Sequence, residues 1–429
     1  MTKQIAAQAE LIVPLDMSMT GMATRFAEEA GRAAGIAQGQ QMKLAVAVEE
    51  LFVFLASDGR EGETARFVSL NGSYYVKITC MFPLRSLPTA LFNITAQMEY
   101  DDENALAQLG LFLASRAVDR FELVKNELVL EIRLIVEKEY PLLTIRDNAL
   151  FAESYQLAAG AGVQEWKQLA LQTYAQYGLL APAFMQYPGK VADMITSGDY
   201  DAVVATDDKG NVAGGVIWQK TSKMAVMNGP YIFCRRKELL RDLLDAALAK
   251  MARSHTICLV NMEPAEEMPA GYFDVLDTLT SDAPECQRSV LYRQMAEDQG
   301  TVVYVLDCLQ QFLQEAYTRL ALPRHIQLVQ QAGEQRAESS ALSTVIDWQL
   351  RQANLAILAP GSNIRENLQN HVAFLREQGI GRILFHLDLG QATEALLGQD
   401  ILEAGFEPRL VLPWGGTGDI LLFRFREEG

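Results

Sequence analysis

The sequence is poor in the residues that build covalent and metal-bound frameworks. Among 429 residues there are five cysteines and four histidines. The cysteines never form a C-x-x-C pair, and the histidines show no metal-ligand spacing. This pattern excludes a disulfide-stapled fold, favours buried free thiols and predicts no metal site. The residues concerned are Cys80, Cys234, Cys258, Cys286, Cys308, His255, His325, His371 and His386.

Positive charge is also scarce. Lys and Arg number 37 against 54 for Asp and Glu, a formal net charge of −17, and each third of the chain is net negative. A surface of this kind repels the phosphates of nucleic acids. We therefore expect no nucleic-acid partner, and the even acidity is what a well-solvated surface requires.

No apolar run is long enough to span a bilayer. The most apolar stretch, Leu44–Ala56, is interrupted by Glu49 and Glu50 and is shorter than the roughly 20 residues needed. The first residues, Met1–Ile5, do not have the basic-then-apolar order of a signal peptide. The sequence thus predicts a cytoplasmic protein without a membrane partner.

What the chain does contain is a regular alternation of helix and strand patterns. Its length predicts two to four domains, and its hydrophobic content of 49% supplies their cores. A first series of patterns ends at the charged stretch Glu137–Pro141, and a second begins near Tyr155. The predicted fold class is a multidomain α+β or α/β protein. The expected domains are residues 1–145, 152–306 and 307–429.

The first domain carries three motifs on predicted helices and strands. Strand Ala9–Leu15, which includes Leu11–Pro14, leads into helix Met22–Ala34. Helix Gln40–Leu55 contains Glu49-Glu50, and helix Asn104–Val118 contains Leu109-Gly110-Leu111. In these motifs the chain resembles the GHKL ATPase module of bacterial anti-sigma-factor serine kinases. The resemblance implies a two-layer α/β sandwich with a surface for homo-oligomerisation or for a protein partner.

The nucleotide motifs of that family are altered here. The family places an Asn four residues after a Glu to hold Mg²⁺, but Phe54 follows Glu50 at this position, and a benzyl group offers no oxygen ligand. Its Asp-x-Gly-x-Gly loop is replaced by Met81–Arg85, and its second glycine loop is reduced to Gly110. Glu50 and Gly110 are thus remnants of an ATP site, and we do not expect ATP or Mg²⁺ to bind.

The second domain carries a glycine-containing hairpin followed by a strand and a helix. The hairpin includes Gly214-Gly215, the strand is Met224–Phe233 and the helix is Lys237–Arg253. Residues 152–306 resemble a Gcn5-related N-acetyltransferase (GNAT) domain, in which this strand-to-helix junction binds the pyrophosphate of acyl-CoA. The glycines of the family motif are missing, but three cations stand there. The resemblance implies cofactor binding by Arg235, Arg236 and Lys237, which could equally be a solvated basic surface.

The last third repeats the order of the second domain in part. Its patterns predict strand Ala353–Ala359, helix Asn363–Glu377, strand Arg382–Leu389, helix Thr393–Ala404 and two final strands. Glu403–Pro408 is similar to a familiar GNAT ending, so we expect a second, partial GNAT-like domain with a mixed sheet. At its acyl-CoA position stand Gly361, Ser362 and Asn363, a possible N-cap and phosphate nest. Trp414–Gly418 is predicted to be a hairpin turn.

The GNAT resemblance also implies catalytic candidates. The family often has a Tyr after the strand that follows its central helix, and this Tyr protonates the departing thiolate. Tyr272 lies near that position on a predicted helix, Ala270–Leu279, and Asn261 and Glu263 are polar candidates just upstream. A Tyr on an apolar helix face is also typical of a core residue.

Two functions remain open from the sequence. The first is a bacterial cytoplasmic regulatory protein, whose kinase-like module has lost ATP binding and whose GNAT-like domains bind acetyl-CoA, another acyl-CoA or a partner. The second is an active acyl-CoA-dependent N-acyltransferase that uses residues 152–429. Phosphorylation of a partner with ATP is not expected.

Overall fold

A computed structural model describes most of the chain. The described residues are 8–57, 59–60, 62–83, 88–96, 105–125, 129–142, 153–158, 160–221, 223–262, 264–280, 287–330, 333, 336–348 and 350–426. The chain divides into two units. The first comprises Met1–Glu139, Arg336–Thr344 and Ala356–His371, and the second comprises Tyr140–Gln335, Val345–Leu355 and Val372–Gly429. The division into three domains stays a prediction.

The described residues of 1–139 in the first unit form a five-stranded antiparallel sheet and three α-helices. Its elements are β1 (Gln8–Pro14), α1 (Thr20–Ala34), α2 (Gln38–Ser57), β2 (Thr64–Asn71), β3 (Tyr75–Pro83), α3 (Ala105–Ala117), β4 (Arg120–Lys125) and β5 (Val129–Glu137). The strand order is β1-β2-β3-β5-β4. Alternate residues of β3 are buried, as a sheet with one covered face requires. The predicted first strand and the predicted helices Met22–Ala34, Gln40–Leu55 and Asn104–Val118 are confirmed by β1, α1, α2 and α3. Strand β2 was not predicted.

The helices α1 and α2 pack closely because small residues line the contact. Ala23, Ala27, Ala30 and Ala34 are buried along one side of α1, at the spacing that keeps them on one helix face. The helix ends at Gly35, whose φ of 69° belongs to the left-handed region that glycine adopts without strain.

The second unit begins with a seven-stranded mixed sheet. Its elements are β6 (Gln156–Leu157), α4 (Val163–Tyr177), α5 (Pro188–Ser197), β7 (Tyr200–Thr206), β8 (Val212–Lys220), β9 (Met224–Ile232), α6 (Glu238–Met251), β10 (Cys258–Asn261), β11 (Asp274–Thr280) and β12 (Gln287–Gln294). The strand order is β11-β12-β10-β9-β8-β7-β6. The β9–β10 pair is parallel, and the other five pairs are antiparallel.

The C-terminal third adds two further sheets. Its elements are β13 (Thr301–Val305), α7 (Asp307–Arg319), β14 (Arg324–Leu328), β15 (Ala341–Asp347), β16 (Gln352–Ala359), α8 (Ile364–Glu377), β17 (Arg382–Asp388), α9 (Ala392–Ala395), α10 (Gly398–Glu403), β18 (Phe406–Leu412) and β19 (Ile420–Phe425). Strands β13 and β14 form a parallel pair, and the last sheet has the order β15-β16-β17-β19-β18. Each of β15, β16 and α8 has residues in both units.

The two larger sheets of the later chain share an internal pattern. The order β9-β10-β12-β11 in one sheet corresponds to β16-β17-β19-β18 in the other. In both sheets the last of these strands along the chain, β12 or β19, lies between β10 or β17 on one side and the penultimate strand, β11 or β18, on the other. Each penultimate strand also has a bulge, between Val275 and Asp277 in β11 and between Pro408 and Leu410 in β18. The two sheets thus agree in strand order and in the position of the bulge. The second helix of the predicted repeat has no counterpart in residues 270–280, which form a turn and strand β11.

One predicted helix is wrong, and another is interrupted. Residues 274–280 of the predicted helix Ala270–Leu279 form strand β11, because Gly271 turns the chain at a φ of 82° and the following residues pair with β12. The predicted helix Thr393–Ala404 is two short helices, α9 and α10, with a break at Leu396–Leu397. The fold as a whole is a mixed α/β multidomain architecture.

Candidate functional site

The junction between β9 and α6 places three cations at a helix start. Arg235, Arg236 and Lys237 are exposed, and the 14-residue helix α6 begins at the next residue. Lys237 is the N-cap position, and no side chain caps the helix there. The first amides of a helix attract anions, and nearby cations strengthen the effect. Glu238, in the first turn of α6, is negatively charged and therefore opposes the binding of an anion at this helix start.

A cavity of about 480 Å³ lies beside this helix start. It is lined on one side by α6 and on the other by the loop between β10 and β11. Its positive groups are Lys237 and Arg241, and its negative groups are Glu238 and Glu267. The full lining is Lys237, Glu238, Leu240, Arg241, Glu267, Met268, Pro269 and Ala270. The cavity adjoins the predicted anion site.

A second cavity of about 520 Å³ lies against the same loop. Residues 264–271 contribute to its wall together with Leu180, Phe273, Val275, Ser289 and Leu291. Glu266 and Glu267 are its charged lining residues, and most of the others are apolar. The loop between β10 and β11 therefore borders both cavities. The first cavity is lined by two cations and two carboxylates, and the described lining of the second has two carboxylates and no Lys or Arg.

The parallel strands β9 and β10 separate near these cavities. Their pairing ends at Val226 and Val260, and the buried Asn261 then donates from Nδ2 to Gly229 O at 2.8 Å. Further along β9, the amide of Ile232 donates to the Tyr177 hydroxyl at 2.8 Å. Side chains, rather than a neighbouring strand, thus satisfy these two backbone groups of β9.

Tyr177 is itself held by a carboxylate. Its hydroxyl donates to Glu266 Oε1 at 2.5 Å, and its ring packs against Tyr231 and Phe233. Burial and the hydrogen bond to Glu266 raise the pKa of Tyr177 well above its usual range. Nothing in the sequence pattern singles out Tyr177 or Glu266, because 89 residues separate them.

The structure places Tyr272 in the turn before β11 and not on a helix. Its hydroxyl donates to Asp245 Oδ1 on α6 at 2.8 Å, and its carbonyl accepts from Arg293 Nη1 at 2.6 Å. The hydrogen bond to Asp245 raises the pKa of the Tyr272 phenol. Tyr272 is not among the residues that line either cavity. Its catalytic role stays a prediction, and Glu263 lies outside the described residues.

The three residues expected to form a phosphate nest are engaged within the first unit. The amide of Ser362 donates to Ala337 O at 2.8 Å. The side chain of Asn363 accepts from Ser340 N and Oγ at 2.7 and 2.8 Å. A Cβ at Gly361 would collide with the backbone of Ser340. Gly361, Ser362 and Asn363 therefore pack on a chain segment in this structure.

Glu50 and Gly110, the two residues predicted to be remnants of an ATP site, lie together. Gly110 on α3 is buried, and a Cβ at this position would collide with the carboxylate of Glu50 on α2. Phe54, one helical turn beyond Glu50, packs against the core of the first unit. Met81–Pro83 of the altered loop belong to β3, and residues 84 and 85 lie outside the described part of the chain.

Three of the four cysteines that the structure describes are buried. Cys80, Cys234 and Cys258 are buried free thiols, as predicted, whereas Cys308 is exposed and Cys286 is not described. Burial raises the pKa of Cys258 to about 12, so this thiol is not a ready nucleophile. Within the described residues, no group of three or more His, Cys, Asp or Glu side chains is arranged to hold a metal.

The predicted hairpin at Trp414–Gly418 is confirmed, since it joins the antiparallel strands β18 and β19. Its turn is held by Asp388, whose carboxylate accepts from the amides of Thr417 and Gly418.

Of the helices that the structure describes, none has the length and apolar character to cross a membrane. No protein-family model matches the chain, and no curated protein matches it.

Proposed function

We propose that this chain is a bacterial cytoplasmic regulatory protein that binds acetyl-CoA or another acyl-CoA in its second unit. Arg235, Arg236 and Lys237 carry this proposal, because they present three exposed cations at an uncapped helix start beside a cavity. In a chain of net charge −17, such a cluster is the natural place for the phosphates of an anionic ligand. The GNAT resemblance supplies the class of ligand.

The first unit has the role of a partner-binding module in this proposal. Its kinase-like helices keep Glu50 and Gly110, but the carboxylate of Glu50 packs directly against Gly110. The position four residues after Glu50 is occupied by Phe54, which provides no oxygen for Mg²⁺. The proposed activity of this unit is therefore binding of a protein or of a second copy, without ATP hydrolysis.

Thermal unfolding with ligands tests the proposal. Acetyl-CoA at 100 times its Kd contributes about 2.7 kcal/mol and should raise the Tm by several degrees. The change Arg235→Ala, Arg236→Ala and Lys237→Ala should remove this rise. Arg253→Ala is the matched control, because Arg253 is an exposed cation just after the other end of α6.

The possible outcomes test the acyl-CoA site and the loss of nucleotide binding separately. No rise with millimolar acetyl-CoA, or an equal rise in the triple variant, would overturn the acyl-CoA site. A rise with ATP and Mg²⁺ would overturn the loss of nucleotide binding in the first unit.

An active N-acyltransferase is the second candidate function. The separation of β9 from β10 favours it, together with the cavity that contains Glu266 and Glu267. Release of free CoA from acetyl-CoA in the presence of a panel of amines would establish this activity. If Tyr272 protonates the thiolate, Tyr272→Phe should lower kcat at least tenfold without changing the Kd for acetyl-CoA.

A further inference from the structure

The larger cavity beside the β10–β11 loop has one wall built from a pair of strands. Val275 on β11 and Leu291 on β12 are direct partners in the antiparallel ladder, so their side chains lie on the same face of the sheet. Phe273 and Ser289 are each two residues away along their own segments, and all four residues line the cavity. The wall is therefore apolar apart from one hydroxyl group.

This wall leaves apolar surface in contact with water. Val275 is 53% exposed, and Leu180 and Phe273, which also line the cavity, are half-buried. A ligand with an apolar body would remove this surface from water, which is favourable. The cavity volume of about 520 Å³ lies within the range of roughly 300–1,000 Å³ that is typical of small-molecule sites.

The loop between β10 and β11 supplies the charged part of the lining. Its carboxylates are those of Glu266 and Glu267, and the described lining contains no Lys or Arg. In the part of the chain that the structure describes, Tyr177 is the only hydrogen-bond partner of the Glu266 side chain, and the Glu267 side chain has none. A cavity lined by charge of one sign concentrates ligands of the opposite sign.

Glu266 is held in place from behind by Tyr177. The Tyr177 hydroxyl accepts from the amide of Ile232 at 2.8 Å and donates to Glu266 Oε1 at 2.5 Å. Because the pKa of Tyr177 is raised well above its usual range, the phenol keeps its proton and remains a donor to Glu266. This bond uses Oε1 and leaves Oε2 as an acceptor for a further donor. A carboxylate that is already oriented loses less conformational freedom when it binds a ligand.

We propose that this cavity, which we call the carboxylate cavity, binds an organic ammonium ion with an apolar body. The ammonium group donates to Glu266 and lies near Glu267, and the apolar body covers Val275 and Phe273. The same carboxylates exclude anions of similar shape. The inference goes beyond the proposed function, because it requires neither acyl-CoA nor the first unit.

The first test compares four probes on the full chain in the absence of acetyl-CoA. Phenethylammonium has the charge and the apolar body, 3-phenylpropionate has the opposite charge, 2-phenylethanol has no charge, and methylammonium has no apolar body. Calorimetry measures the Kd values, and the NMR signals of the Val275 and Leu291 methyl groups report where the probe lies. Phenethylammonium should bind at least about tenfold more tightly than the other three and should shift both sets of methyl signals.

The second test changes the lining. Glu266→Gln removes the charge but keeps an acceptor for Tyr177, and it should weaken phenethylammonium binding at least about tenfold. Its control is Glu377→Gln, at an exposed glutamate on α8, which should have no effect.

Val275→Lys places a cation in the carboxylate cavity and should remove binding of phenethylammonium. Because Val275 is already 53% exposed, the lysine can reach water and the chain should still fold. Val345→Lys is the matched control, since Val345 is a 61% exposed valine on strand β15, outside the cavity lining.

The proposal is overturned if phenethylammonium does not bind, if 3-phenylpropionate or 2-phenylethanol binds equally well, or if the methyl signals of Val275 and Leu291 do not shift. Unchanged binding in Glu266→Gln or in Val275→Lys also overturns it. None of these measurements involves acetyl-CoA, so failure of the carboxylate cavity is distinguishable from failure of the acyl-CoA site.

Discussion

The side chain of Arg324 is fully buried between two carboxylates in the second unit. Its Nη1 lies 2.8 Å from Asp298 Oδ2, its Nε lies 2.7 Å from Asp419 Oδ2, and the side chains of both acids are also buried. Trp414 donates its indole N–H to Asp298 and its backbone amide to Asp419. Burial opposes the charge, but the two carboxylates outweigh it and raise the pKa of Arg324.

Replacement of this arginine should destabilise the fold strongly. Arg324→Met leaves two buried carboxylates without a cation, and we expect the free energy of unfolding to fall by about 3–5 kcal/mol. Urea unfolding at pH 7 measures the change. Arg25→Met is the control, since Arg25 makes exposed pairs with Glu28 and Glu29 and should cost less than about 1 kcal/mol. Equal effects of the two substitutions would contradict the role of burial.

Glu394 makes stability depend on pH. Burial and the nearby charge of Asp388 raise the pKa of Glu394 to about 7, although a hydrogen bond from the Asp388 amide opposes the shift. The unfolded chain titrates this group near 4.5, so between about pH 4.5 and 7 the folded chain holds more of the proton. The free energy of unfolding therefore decreases as the pH rises through this range.

Glu394→Gln should remove this dependence. The amide carries no charge and can still accept from the Asp388 backbone, so at pH 8 the variant should be more stable by on the order of 2 kcal/mol. Urea unfolding between pH 5 and 8 compares it with Glu403→Gln, which alters an exposed glutamate on α10. A variant that keeps the slope of the parent chain would show that another group titrates.

At the level of helices and turns, two glycines with open surroundings should respond oppositely to alanine. An added Cβ meets no atom within 4 Å at Gly21 in α1 or at Gly210 in the β7–β8 turn. Gly210 has a φ of 81°, so Gly210→Ala should cost about 1 kcal/mol. Gly21 has helical geometry, so Gly21→Ala should stabilise the chain by about 0.5 kcal/mol. Thermal unfolding of both variants gives the signs, and equal signs would refute the argument.

Elements with a strong local pattern could be predicted. Strand β3 alternates buried and half-buried residues, and the Asp207–Gly210 turn has the glycine its backbone requires. Asp207 accepts from the amides of Lys209 and Asn211, which is a contact within five residues. The helix predicted over Ala270–Leu279 was wrong because the apolar residues of this segment are compatible with a helix as well as with a strand. The segment forms strand β11 because it pairs with β12, which lies outside the local pattern.

Helix α8 is continuous over Ile364–Glu377, so its second half depends on its first half. The amides of residues 372–375 donate to carbonyls four residues earlier, within 368–371. Residues 364–371 belong to the first unit. Loss of helical structure in 364–371 should therefore also remove the hydrogen bonds of 372–375.

Leu51→Ala tests this coupling. Leu51 is fully buried in the core of the first unit, and its truncation should cost about 2–5 kcal/mol. Native-state hydrogen exchange should then speed up in 372–375 as well as in 364–371. Leu113→Ala, at a leucine that is 43% exposed on α3, should change neither. Acceleration that stops at His371 would show that the two halves of α8 open independently.

The sequence by itself determined the features that depend on residues close together in the chain. These are the helices and strands with clear periodicity, the acidic surface, and the cation cluster Arg235–Lys237. Composition and short-range spacing carry that information because the interactions behind it lie within a few turns of chain. Tertiary structure decided which distant groups meet. Tyr177 finds Glu266 across 89 residues, and Asn93 finds Ser340 across 247. Such pairs are brought together by burial of the cores around them, and no local pattern records them.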